Sequence, residues 1–299
     1  MCLTRRGTVT VPAALRPWIT HVSAAPLTPL AAGDGPVTLT HLPDAATVLV
    51  FHIDADRRGE LMVMGPRTRA GYFAGKDLPL VVRLRFRPGG AQPLLGVEAG
   101  ALTDRAVRLG ELWGAAGDRL AEELAAEGTD AAAVLARLER ALLARLEGHG
   151  PPPDPARGRL LLSAAAALSP VPGDGPGRVR EVARDLGVSE RQLRTLFTRG
   201  IGLPPKRFAR IARVRTVLAR GTTGTAGAGT GVRTGAERAG ARLALAAGYY
   251  DQSHMAAEFR ELIGVTPSAF LAGERPAPRA CGATAETAAT AAGTGSAAR

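Results

Sequence analysis

The sequence predicts an α+β chain: a β-rich N-terminal domain ending in helices, then an all-α domain built from two helix-turn-helix units. Three observations carry this. Apolar and β-branched runs broken by Gly, Pro and Asp fill the stretch from about Val37 to Val97. A leucine stripe at helical spacing follows. The C-terminal half then repeats one pattern of Gly, Phe and Pro.

Thr47–Ile53, Glu60–Met64 and Leu80–Phe86 are the expected strands. From Val82 to Arg87 every second side chain is apolar and the others are basic, which predicts one buried face and one wet face. After Pro88-Gly89-Gly90 and Thr103-Asp104 the pattern turns helical. Leu120 and Leu124 share a face, and Leu135, Leu138, Leu142 and Leu146 recur at steps of three and four, with Thr129 or Asp130 available as N-cap. The stripe covers too few heptads for a coiled coil and reads as an intradomain packing face. The Gly/Pro-rich segment His149–Pro155 marks a boundary, giving domains at 1–150 and 156–272. The tail 273–299 has few large apolar groups and is expected to be disordered. Within the helical half, the Thr/Gly run Gly221–Gly235 reads as an inert exposed loop, because loop-closure entropy grows slowly with length.

In the first copy of the repeat, Gly187 is followed by Phe197, Gly202, Pro205 and Phe208, at +10, +15, +18 and +21. In the second, Gly248 is followed by Phe259, Gly264, Pro267 and Phe270, each displaced by one further residue. A single extra residue just after Gly248 explains the whole series. Val179, Val182 and Leu186 form an apolar face, and small Ala183 permits a close helix crossing. Gly187 supplies the positive φ that reverses the chain, and Ser189 caps the next helix, whose Leu193, Leu196 and Phe197 return to the core. Leu243, Ala244, Ala247, Gly248, Asp251, Met255, Phe259 and Leu262 repeat these roles. Gly202 and Gly264 end helices, and Pro205 and Pro267 suit a first helical turn.

Charge separates the two halves. Residues 1–150 hold 17 Lys/Arg against 16 Asp/Glu, whereas residues 151–299 hold 21 against 11, so a polyanionic partner belongs to the second half. No apolar run is long enough to span a bilayer, and Arg5 and Arg6 are not followed by an apolar signal core, so the chain is expected in the cytoplasm. Cys2 and Cys281 lie near the two ends and make neither a disulfide framework nor a metal cluster. His21, His41 and His52 are too scattered for a metal site and read as structural, so neither a metal nor a cofactor is expected.

Val179–Arg220 and Ala241–Leu271, through the stretches R-V-R-E-V-A-R-D-L-G-V-S-E-R-Q-L-R-T-L-F and A-G-Y-Y-D-Q-S-H-M-A-A-E-F-R-E-L-I-G-V-T-P, resemble the DNA-binding domain of the AraC/XylS family of transcription regulators. H-L-P-D-A-A-T-V-L-V, M-G-P-R-T-R-A and P-L-L-G-V-E-A-G-A-L-T-D-R resemble the N-terminal domain of one subgroup of that family, less specifically. The resemblance implies double-stranded DNA as partner and a sensor or oligomerisation role for the first domain. It leaves open contact with RNA polymerase, a small-molecule effector and a second copy of the chain. The glycines at 187 and 248 are 61 residues apart, more than the family usually has, and the run Gly221–Gly235 is the surplus.

A recognition helix shows its solvent face to the major groove. That face offers Glu190, Arg191, Arg194 and Thr195 in the first unit and Gln252, Ser253, His254 and Ala257 in the second. Arg191 and Arg194 suit guanine, Gln252 suits adenine, and Ser253 and His254 complete the base-contact set. Thr195 and Ala257 stand where the family often has arginine: at Thr195 readout is either lost or becomes a thymine-methyl contact, and Ala257 can give only an apolar contact, which makes the second unit the weaker reader. Arg207, Arg210, Arg213 and Arg260 are candidate phosphate contacts. Two other classes compete: an alkyl-acceptor repair enzyme on the same module, which needs a nucleophilic thiolate that neither cysteine is placed to supply, and an architectural DNA-binding protein without specific sites.

Overall fold

A computed structural model describes residues 7–27, 38–75, 77–148, 154–170, 177–224 and 233–279. The N-terminal region is an antiparallel six-stranded sheet in the order β1-β2-β7-β4-β5-β8, made by Gly7–Val9 (β1), Ile19–Leu27 (β2), Val48–Ile53 (β4), Gly59–Met64 (β5), Leu78–Phe86 (β7) and Ala106–Arg108 (β8). Thr38–His41 (β3) and Gly71–Ala74 (β6) form a separate antiparallel ribbon. Helices α1 (Ala91–Leu95), α2 (Leu109–Trp113), α3 (Ala115–Ala126) and α4 (Ala131–Gly148) follow. The architecture is α+β, as the sequence predicts.

Period-two alternation decides what faces the helices. Leu80, Val82, Leu84 and Phe86 of β7 join Leu49, Phe51 and Ile53 of β4 in a core closed by Leu120, Leu124, Val134, Leu138 and Leu142. The leucine stripe is thus an intradomain face. Asp130, not Thr129, caps α4, accepting the N–H groups of Ala132 and Ala133. The other face of β7, read as wet, is half covered. Val48, Val50, Leu78 and Val81 cluster there, and Arg85 forks onto the buried Asp44, with Nη2 2.6 Å from Oδ1. A central strand covered on both sides explains why β4 is apolar almost without interruption.

The C-terminal region is all helix: α5 (Pro155–Ala167), α6 (Val179–Asp185), α7 (Glu190–Gly200), α8 (Pro205–Gly224), α9 (Arg233–Ala246), α10 (Gln252–Ile263) and α11 (Pro267–Leu271). Their core runs from Leu161, Leu193 and Phe197 through Ile211, Val214 and Leu218 to Met255, Phe259 and Phe270, and Leu42, Ala45 and Ala70 of the first domain pack against it. Two expectations change. Gly221–Gly224 belongs to α8 and Arg233–Gly235 to α9, and residues 225–232 lie outside the described residues. Gly221 is buried against α11, where an added Cβ would come within 2.9 Å of Leu271 Cδ2, so its lack of a side chain serves packing. The predicted tail is ordered in its first part: Arg279 bridges to β6, where Arg279 N–H donates to Tyr72 O at 2.9 Å and Ala74 N–H to Arg279 O at 2.8 Å. Backbone pairing needs no apolar side chains, which is why composition did not reveal it. Residues 280–299 lie outside the described residues.

Candidate nucleic-acid interface

The two units share the same turn bonds and the same N-cap acceptance. Gly187 has φ +67°, its N–H bonding to Arg184 O at 3.0 Å and that of Val188 to Ala183 O at 2.9 Å. Gly248 has φ +78°, its N–H bonding to Leu245 O at 3.0 Å and that of Tyr249 to Ala244 O at 2.9 Å. These left-handed turns end α6 and α9. Ser189 Oγ then accepts Gln192 N–H at 3.1 Å, and Asp251 Oδ1 accepts His254 N–H at 2.7 Å. Because Val188 answers to Tyr249 and Ser189 to Asp251, the extra residue is Tyr250, which is 89% exposed. Gly202 (φ +90°) and Gly264 (φ +95°) close α7 and α10, and Pro205 and Pro267 open α8 and α11.

On α7, Glu190, Arg191, Arg194 and Thr195 are exposed while Leu193, Leu196 and Phe197 are buried. Thr195 spends its hydroxyl proton on the carbonyl of Arg191 at 3.0 Å, leaving its methyl and an oxygen acceptor for a partner. Beside them runs a groove of about 350 Å³ lined by Arg157, Leu160, Val188, Arg191, Gln192 and Thr195. Arg157, exposed on α5, thus adds a cation to this face that the repeat, which begins after it, did not point to.

On α10, Gln252, Ser253, His254 and Ala257 are exposed. The Gln252 amide lies back over α9, since a Cβ at Gly240 would sit 2.7 Å from its Nε2, and the His254 ring packs edge-on against Tyr249 at 5.3 Å. Both hold local contacts that a base contact has to displace.

Three of the four candidate phosphate residues are engaged inside the protein. Buried Glu258 on α10 accepts Arg210 Nε at 2.9 Å, Arg213 Nε at 3.1 Å and Nη2 at 2.8 Å, and the Tyr249 hydroxyl at 2.9 Å. Arg210 also pairs with Glu261, and Arg207 lies 3.7 Å from that same carboxylate. Burial, then the neighbouring Glu258 charge, raises the Tyr249 phenol far above its usual value, so the hydroxyl stays a donor. The Arg210 hydrogen bond is the main cause holding the Glu261 carboxyl below the usual range. Arg260 is exposed. Glu258 was legible in principle: residues 255, 258, 259 and 262 follow the i, i+3, i+4, i+7 spacing of a buried face.

A protein-family profile described as a domain of unknown function (DUF6597) matches residues 8–108, about a third of the chain, spanning the six-stranded sheet. No curated protein matches. Among solved structures, the chain is similar to ToxT from Vibrio cholerae O395, at 9% identity and a TM-score of 0.38 over 84% of this chain and 96% of that one. It is likewise similar to unsaturated fatty acid bound ToxT from Vibrio cholerae strain SCE256, at 10% identity and a TM-score of 0.38 over 86% of this chain and 97% of that one. Among the described residues no cluster of His, Cys, Asp and Glu could hold a metal ion, and no helix is long and apolar enough to cross a membrane.

Proposed function

We propose that this chain is a sequence-specific DNA-binding transcription regulator of the AraC type, acting in the cytoplasm and reading double-stranded DNA with α7 and α10. One observation supports this above all: two units with the same turn and capping bonds each leave the N-terminal half of their second helix exposed. In this reading α7 is the principal reader, through Arg191 and Arg194, with Thr195 offering a methyl to thymine. The second helix adds Gln252, Ser253 and His254. Arg157 and Arg260 take phosphates, while Arg210 and Arg213 hold Glu258 and act on DNA only through the fold. The N-terminal domain carries the sensing or pairing role, and RNA polymerase, an effector molecule and a second copy are the partners the proposal leaves room for.

Selection of bound fragments from a random DNA pool tests this directly. The full chain should enrich one motif, with affinity falling steeply as salt rises. On that motif Arg191→Ala or Arg194→Ala should each lose about 1–3 kcal/mol of discrimination at one base pair. Arg260→Ala should instead weaken specific and non-specific DNA alike. Uniform coating without a preferred motif would make the chain an architectural DNA-binding protein.

A further inference from the structure

We infer that the N-terminal domain positions the two readers by serving as a shared cap on the C-terminal ends of α7 and α10, with Thr103 and Tyr72 as its positioning residues. The inference rests on the DNA-reading role proposed above and adds what sets the separation of the two helices.

A helix leaves its last four carbonyls without donors of its own. At α7, Ile201 N–H and Gly202 N–H serve the carbonyls of Phe197 and Thr198, but that of Gly200 takes the N–H of Gly89, from the first domain, at 2.8 Å. Two residues past the end of α7, Gly202 O takes Thr103 Oγ1 at 2.7 Å. At α10, Gly264 N–H serves Arg260 O, whereas Leu262 O takes Ala70 N–H at 2.7 Å and Ile263 O takes the Tyr72 hydroxyl at 2.6 Å in a buried bond. Four carbonyls at two equivalent helix ends are therefore closed by donors from one β-rich body.

The contacts are stiff because backbone meets backbone. A Cβ at Gly202 would lie 2.6 Å from Ala99 O, and one at Gly100 would lie 3.2 Å from Thr198 O. Behind Tyr72 the chain after α11 returns to pair Arg279 with β6, so the strand that holds α10 is fixed from its other side. A third anchor reaches the helix joining the units: Arg215 on α8 lies 3.2 Å from Asp44 and donates to Pro43 O at 3.3 Å. Both reading helices are gripped at their C-terminal ends, and the exposed N-terminal halves point away from the grip. The N-terminal domain thus sets which half-site spacing the protein accepts without touching DNA.

The test uses the full chain with Cys2→Ser and Cys281→Ser and spin labels on cysteines at the exposed positions Arg184 (α6) and Arg242 (α9). Pulsed-resonance distances in this parent should show one narrow distribution. The double substitution Tyr72→Phe and Thr103→Val removes two hydroxyls and little else, and should broaden or split it. Thr103→Ser, which keeps the hydroxyl, should match the parent. On the selected motif, the parent should discriminate against a one-base-pair change in half-site spacing, and the double variant should lose roughly tenfold of that ratio, as the loss of two hydrogen bonds allows. An unchanged distribution, or an unchanged spacing ratio, would overturn the shared cap. A parent with no preferred motif removes the DNA-reading role, and the distances alone then decide on the cap.

Discussion

Glu258→Ala should destabilise the C-terminal helices by about 3–5 kcal/mol, because it leaves two arginines and a phenol that were paired with one buried carboxylate without it. The loss is large because the cost comes from the partners left behind. Arg210 keeps Glu261, but Arg213 is left over the Tyr249 ring, its guanidinium 5.2 Å from the centroid, and the Tyr249 hydroxyl loses its acceptor. Tyr249→Phe, which removes one hydrogen bond of the four, should cost about 0.5–1.5 kcal/mol. Urea denaturation of the two variants beside the parent checks both values. A Glu258→Ala loss below about 1 kcal/mol would mean that water or rearranged side chains replace the carboxylate.

Acid should weaken the N-terminal domain in two separate steps. His41 on β3, largely buried and 5.1 Å from the Phe73 ring, has a pKa lowered to about 4, by burial first and then by the charges of Arg67 and Arg83. The unfolded chain binds this proton near pH 6.5 and the folded chain only near 4. Stability from the neutral ring is therefore complete above about 6.5 and is lost as pH falls to about 4, some 3 kcal/mol in all. His41→Gln should flatten this slope, and the difference between parent and variant isolates it from other groups. Equal slopes would rule out His41 as the source. Asp44 acts in a lower window. Burial pushes its carboxyl up, but the Arg85 hydrogen bond, the Arg215 and Arg85 charges and the Ala46 N–H together hold it below its usual 3.8. Its contribution is present above that value and is lost below it, and with it the Arg215 bridge between the domains.

The parts of the structure that were legible are those written in local chemistry. Ser189, Asp251 and the glycines at 187, 248, 202 and 264 sit where their turn and capping preferences demand. Strand β2 was not legible, because register shifts between Ile19 and His21 and again between Ala25 and Leu27 break its alternation, and Pro26 argues against a strand. The arginines of α8 carry the same lesson for the site. Arg207, Arg210 and Arg213 lie three residues apart on one face, a pattern equally suited to phosphates and to carboxylates. Only the packing of α10 across α8 brings Glu258 and Glu261 to them, and that long-range pairing has no local signature.

Tyr250 shows how a duplicated unit can change length without losing its frame. The added residue falls between the turn of Gly248 and the cap at Asp251, outside both helices. Each N-cap restarts the 3.6-residue count, so from Asp251 onward Met255, Phe259 and Leu262 keep the phase that Leu193, Phe197 and Gly200 have after Ser189. The same insertion two residues later would have turned the helix by about 100° and driven exposed side chains into the core. Drift between the copies is thereby channelled into the short gap before each cap, and there it has placed an exposed aromatic ring beside the face proposed to read DNA in one unit alone.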